Sequence, residues 1–266
     1  MNALAQELPG ALPPGTISAF GLYLVRTSAM VLSAPVLGTG TSFAMHRVAL
    51  IAALSFLMFT ATGTPLPAAP TPLEFGAFAG REILIGLSLG FVLQLAALAV
   101  RVAGEFISQE MGFTMAHQVD PQTGVSMPLV AQLYDGLFLV GFLALDGHHW
   151  LIRALSDSFA RAPVGSISGT GGLANAFESL FAQMFAAGIL FAAPVLVLMF
   201  LVSLMIALLG RAVPQINLMD LGFTLRILAG LVAMFTFAPM LAPAMNRLYQ
   251  GVHEGLEGVL GALQPA

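Results

Sequence analysis

The chain has 266 residues, of which 58% are hydrophobic and only 8% charged, where a soluble domain carries about 25% charge. A water-soluble fold of this length has no interior large enough for that much apolar surface, so the composition, with its mean hydropathy of +0.92, reads as an integral membrane protein. A net charge of −4 and a pI near 5.6 argue against a nucleic-acid surface, and the absence of cysteine excludes disulfides, thiolate chemistry and sulfur-ligated metals.

Uncharged runs of this length favour helices over barrel strands, which alternate over about 10 residues. Before Arg26 the N-terminal stretch MNALAQELPGALPPGT has no basic residue, so no cleaved signal peptide is expected. Six hydrophobic segments follow, each near the ~20 residues that a helical span needs. The first is Ile17–Leu37, interrupted by Arg26, and the second is Val48–Gly63, ended by TGTPLPAAPTP. The third, Phe75–Val100, carries Arg81 and Glu82 near its start. Leu129–Leu145 is the fourth. The fifth, Leu180–Leu209, is long enough to tilt or to kink at Pro194. FAPMLAP closes the sixth, Leu221–Leu241.

Between the fourth and fifth segments, Trp150, Leu151, Ala154, Leu155 and Phe159 recur at helical spacing. This predicts a short amphipathic helix at the membrane interface, followed by a Gly/Ser linker that contains Ser166–Gly169. Arg47, Arg101 and Arg211 fall on one side of a six-span arrangement, which places the first, third and fifth connections in the cytoplasm. Arg153 and Arg161 oppose that bias, partly offset by Asp146 and Asp157. Fold class is therefore an all-α integral membrane protein, with residues 1–266 as a single membrane domain.

Enzyme signatures fail. HExxH, a Gly-rich phosphate loop and a nucleophile elbow are all missing, so no catalytic residue, cofactor or metal site is expected. His148 and His149 are adjacent and project about 100° apart on a helix, which suits the start of an interfacial helix better than a shared metal. Arg26, Arg81 and Glu82 stand out because a charge in hydrocarbon costs at least ~2.5–3.5 kcal/mol. Either they line an ion route or, the preferred reading, they are buried ion-pair or assembly residues. Gly76, Gly80, Gly86 and Gly90 form small-xxx-small steps that admit a close helix. The mixed stretch GEFISQEMGFTMAHQVDPQTG (104–124) and the polar break LGRAVPQINLMDLGF (209–223) remain. The first reads as a solvated loop, a catalytic or ion-binding loop, or a piece inside a pore; the second, around Pro214, Gln215 and Asn217, as a tight hairpin or a docking contact.

Three stretches in order carry a resemblance. RAVPQINLMDLGF resembles the PQ-x-N hairpin of the FliR/SctT family, the R-type subunit of type III export gates. DGHHWLIRALSDSFARAPVG resembles that family's Gly-His-His segment, and AGEFISQEMGFTMAHQVDPQTG its stretch after the third hydrophobic segment. Departures are Thr224 for proline, Arg226 for lysine, Asp146 for glycine, and no proline before Arg47.

The resemblance implies a non-enzymatic subunit of the flagellar protein export apparatus, needed for flagellum assembly. It would sit in the bacterial inner membrane at the flagellar basal body. FliP- and FliQ-like subunits, and an FlhB-like subunit, would be its partners in a hetero-oligomeric helical channel for unfolded flagellar proteins. In that setting the helical segments bend into hairpins. Met111, Gly112, Phe113, Thr114, Met115, Ala116 and His117 match the loop that plugs the closed pore. Flexible methionines suit a seal against varied surfaces. The virulence-system counterpart is the alternative within the family, and a proton-coupled secondary transporter is the alternative from another class.

Overall fold

The computed structural model describes residues 13, 15–35, 44–63, 65–113, 128–165, 172–212 and 218–263. Among them it has seven helices and no strand. These are α1 Thr16–Ser33, α2 Ala44–Thr62, α3 Pro72–Glu110, α4 Leu129–Ala144, α5 Gly147–Arg161, α6 Leu173–Ala212 and α7 Leu218–Ala262. Five are long and apolar enough to cross a membrane, and six spans result if α4 and α5 count as one broken span.

Local chemistry sets the helix ends. At the start of α3, Thr71 and Glu74 form a reciprocal capping box: the Thr71 amide donates to Glu74 Oε2 (2.8 Å) and the Glu74 amide donates to Thr71 Oγ1 (3.4 Å). Pro72 lies between them at the first helical position, where its missing N–H leaves nothing unmade. At the other end Gly112 adopts φ 84 just past Glu110, a left-handed conformation that suits glycine. Asp146, φ 56, makes the corner between α4 and α5.

Helices α3, α6 and α7 have 39, 40 and 45 residues, or about 58–68 Å at 1.5 Å per residue. All three exceed the segments expected from hydropathy. The FAPMLAP signal does not end a helix, because α7 continues through Pro239 and Pro243 to Ala262. Among apolar helices, neighbouring groups and water can re-satisfy the carbonyls that an internal proline frees. Pro194 of α6 and both α7 prolines line one cavity of about 450 Å³ beside Tyr134 and Arg247.

Two compact units divide the chain. The first comprises Met1–Gln94, His148–Glu178 and Glu254–Ala266, and the second Leu95–Gly147 and Ser179–His253. Three of the four boundaries fall inside α3, α6 and α7, and the fourth at the start of α5. In the first unit α1 packs on α2, with Ala19, Leu22 and Leu66 at the centre and Phe59, Phe75 and Phe78 around them. In the second, α4 buries the stripe Val130, Ala131, Tyr134, Phe138 and Phe142. Tyr249 of α7 donates its hydroxyl to the Phe138 carbonyl (3.0 Å).

Helix α5 differs from its expected role. Its apolar face, Leu151, Ala154, Leu155 and Phe159, is buried in protein rather than facing lipid. An amphipathic pattern specifies an apolar stripe and leaves open what covers it.

Candidate functional site: a buried charge cluster and a keyed helix end

Arg26, Arg81 and Glu82 lie together in the first unit. Arg26 and Glu82 have no exposed surface, and Arg81 has 7%. Arg26 reaches from the middle of α1 and donates Nε to Glu82 Oε2 at 2.5 Å. Its Nη1 donates to Ser158 Oγ (3.1 Å) and its Nη2 to the Ala162 carbonyl (2.7 Å). Arg81 Nη1 contacts Glu82 Oε1 and the Pro163 carbonyl, each at 3.1 Å. The Ser158 hydroxyl in turn donates to the Leu155 carbonyl (2.7 Å).

Two guanidiniums face the Glu82 carboxylate. Two carbonyl acceptors, Ala162 O and Pro163 O, follow directly on the C-terminal end of α5. A helix C-terminus carries about half a negative charge, so the end of α5 adds to the attraction. Its last turn is thereby held to α1 and α3 by charge-assisted hydrogen bonds, which are the stronger kind. Aromatic rings complete the enclosure. The Arg26 guanidinium lies 4.3 Å from the Phe159 ring centre, and Tyr23 stacks on the same ring with centres 4.1 Å apart.

Glycines let the helices come this close. A Cβ at Gly86 would strike the Arg26 carbonyl and sit 2.8 Å from Ala29 Cβ, and one at Gly90 would lie 2.6 Å from the Met30 carbonyl. Gly76 and Gly80 meet nothing within 4 Å. Of the two small-xxx-small steps, one is therefore used by α1 and the other is open.

The second unit holds the end of α3. Met111 is fully buried, and its thioether lies against the backbone of α7 where Gly230 has no side chain. Gly112 follows with the Phe223 ring of α7 at its side. Phe113 is half-buried. Thr114, Met115, Ala116 and His117 lie outside the described residues, as do Pro214, Gln215, Asn217 and Ser166–Gly169. Arg101 pairs with Asp135 at 3.1 Å, partly exposed.

His148 and His149 lie side by side, with ring centres 4.1 Å apart, contrary to the divergence expected of adjacent helical residues. Side-chain rotation at the first turn of α5 brings the rings together. Sequence reasoning missed Ser158, the α5 carbonyls, Gly230 and Phe223. The Thr71–Glu74 box was legible as a T-x-x-E signature, whereas nothing local marks the other four.

Residues 17–252 match the model of the family described as bacterial export proteins, family 1. The chain belongs to the bacterial export proteins, family 1. It is 34% identical over 247 residues to the flagellar biosynthetic protein FliR of Escherichia coli K12, covering 90% of this chain and 92% of that protein. Identity is 31% over 251 residues to FliR of Pectobacterium carotovorum, covering 93% and 94%. It is 29% over 245 residues to FliR of Bacillus subtilis 168, covering 91% and 94%. The matched range of this export-protein family takes in the charge cluster and the α3 end alike. The last turns of α7, which carry Glu257 of the Arg161–Glu257 contact at 3.4 Å, lie beyond it.

Proposed function

We propose that this chain is the FliR-type subunit of the flagellar protein export apparatus, set in the bacterial inner membrane at the flagellar basal body. It assembles with FliP- and FliQ-like subunits, and meets an FlhB-like subunit, to form part of a channel for unfolded flagellar proteins. The whole chain works as one membrane domain, without catalysis or a cofactor. Relatives named as flagellar biosynthetic proteins over nine-tenths of the chain support the flagellar assignment.

One observation carries the assembly. Large apolar side chains stay exposed along α6 from Phe181 to Leu209, 28 steps of helix or about 42 Å. The hydrocarbon core is about 30 Å thick. Enclosing that face in lipid requires a tilt of roughly 45°, beyond the usual range of up to about 40°. Part of it must meet protein. Other apolar helices are the covering that fits.

Within this reading, residues 111–117 start the segment that closes the pore. Irregular backbone at membrane depth persists only where protein or a watery cavity shields it. Deleting Gly112–Ala116 is expected to leave the particle assembled and the membrane leaky to ions. An unchanged leak removes the plug assignment. Deleting the whole gene is expected to abolish swimming, and retained swimming with loss of toxin injection would instead assign the chain to a virulence system.

A proton-coupled transporter would use Arg26, Arg81 and Glu82 as a relay. The cluster's enclosure argues against that, since Arg26 and Glu82 touch no solvent and a relay needs a hydrated path.

A further inference from the structure

Pro194, Pro239 and Pro243 line the cavity of about 450 Å³ in the second unit. That volume falls in the range of about 300–1,000 Å³ usual for small-molecule sites, which are mostly apolar with a few polar groups. A helix about 10 Å across fills about 800 Å³ over 10 Å of its length, so a partner helix does not fit inside the cavity. Leu190, Phe191, Phe237, Met240 and Leu241 give it apolar walls. Leu190 and Met240 are themselves exposed, so the cavity opens on the outer surface of α6 and α7.

Two polar side chains interrupt this lining, and neither is satisfied by the protein. Tyr134 is 1% exposed, with its ring edge-on to Phe191 at 5.1 Å between centres. Its hydroxyl has no hydrogen-bond partner among the described residues, although buried polar groups are normally paired. Arg247 likewise has neither an ion pair nor a hydrogen bond among the described residues. The positions three and four residues away on α7, where a helical partner would stand, are Pro243, Ala244, Gln250 and Gly251, none of them acidic.

The depth of Arg247 narrows the choice of partner. Leu221–Leu241 is 20 steps of helix, about 30 Å, which matches the hydrocarbon core of about 30 Å. Arg247 follows six residues later, about 9 Å further along α7 and therefore at the level of the lipid headgroups. Helical side chains lean towards the helix N-terminus, which carries the guanidinium back towards Pro243 and Ala244 on the cavity wall. A cation at this depth, an unpaired hydroxyl donor and an apolar recess thus meet in one space.

We propose that this cavity binds one acyl chain of an anionic phospholipid, with the phosphate on Arg247 and an ester oxygen accepting from the Tyr134 hydroxyl. The lipid enters sideways between the exposed Leu190 and Met240. It supplies the anion and the apolar filling together, which neither a soluble anion nor a second helix does. The inference rests on the membrane depth of Leu221–Leu241 and is independent of the export-channel reading.

The test uses the intact particle extracted in mild detergent and given phosphatidylglycerol that carries a photoactivatable diazirine in one acyl chain. Label is expected on residues 190–195 and 237–244. Arg247→Gln is expected to lower it there about fivefold, and Tyr134→Phe, which keeps the ring, about threefold. Arg247→Lys keeps the charge and should stay within about twofold of the parent. Label on the exposed face from Phe200 to Leu209 should be equal in all four, which separates this site from general lipid contact. Unlabelled phosphatidylglycerol should displace the cavity label, phosphatidylcholine should do so less well, and inorganic phosphate should not.

Equal cavity label in the parent and Arg247→Gln overturns the proposal. Displacement by inorganic phosphate reduces the site to an anion contact and overturns it too, and equal displacement by phosphatidylcholine removes the anionic preference that it requires. An intact particle whose cavity takes no label also overturns it and leaves the space to another subunit. Should Arg247→Gln fail to assemble, Tyr134→Phe and the displacement series decide: unchanged label in Tyr134→Phe overturns the proposal.

Discussion

The charge cluster of the first unit and the Met111 contact of the second are both buried, yet they are held by opposite means. Around Arg26 every contact is directional: a carboxylate, a hydroxyl, a helix-end carbonyl and a ring face each meet one part of the guanidinium. Around Met111 nothing is directional, and a missing side chain on α7 receives a pliable thioether. Loss of a partner should therefore ruin the first region, and gain of volume the second. A buried ion without its partner is severely destabilising, whereas a close-packed contact suffers from added volume as well as from a void.

The largest effect is expected at Glu82. Glu82→Ala leaves Arg26 and Arg81 buried without their carboxylate, a loss of about 3–5 kcal/mol. The amount of chain recovered from membranes should fall several-fold, and its melting temperature in detergent should drop. Replacing Arg26 and Glu82 together by methionine should recover part of that loss, because Arg26 is no longer stranded while Arg81 still lacks the carboxylate that it meets at 3.1 Å. A double variant as unstable as Glu82→Ala would show that the cluster is more than a balanced charge set.

Next comes Gly86→Leu, which drives a side chain into the Arg26 carbonyl and Ala29. Overpacking of this kind costs about 1–3 kcal/mol. Gly76→Leu serves as its control, since nothing lies within 4 Å of that position, and its melting temperature should match the parent's. Equal effects at Gly76 and Gly86 would mean that the open glycine step is covered by another subunit during the measurement.

Smaller still is Met111→Leu, a change of similar volume that costs under about 1.5 kcal/mol. Ion leak should stay within twofold of the parent, because shape rather than the sulfur holds the contact. The smallest effect is expected for Arg101→Gln. Its pair with Asp135 is partly exposed, and such pairs contribute at most about 1 kcal/mol. Normal swimming is the expected readout.

The same contrast governs how much could be read from sequence. Charges in apolar runs announce themselves, so Arg26, Arg81 and Glu82 were visible as a group worth explaining. Their remaining partners were not, because Ser158 lies 132 residues from Arg26 and no period links the two. Gly230 is harder again, one glycine among apolar residues whose meaning depends on which side chain arrives from α3. The helices themselves were legible from apolar runs, though not their lengths. Glu110 rather than Val100 ends α3 because the residues between continue the helical register until a glycine stops it. Pro239 and Pro243 read as terminators by their intrinsic preference, which tertiary surroundings override in α7.

Assembly is the claim on which the remainder depends, and the exposed apolar face of α6 bears on it most. The direct measurement is the native mass and composition of the particle obtained when the tagged chain is extracted in mild detergent. Co-purification with FliP- and FliQ-like subunits as one large particle is the predicted result. A stable, monodisperse monomer free of both, from cells that swim, would contradict the account.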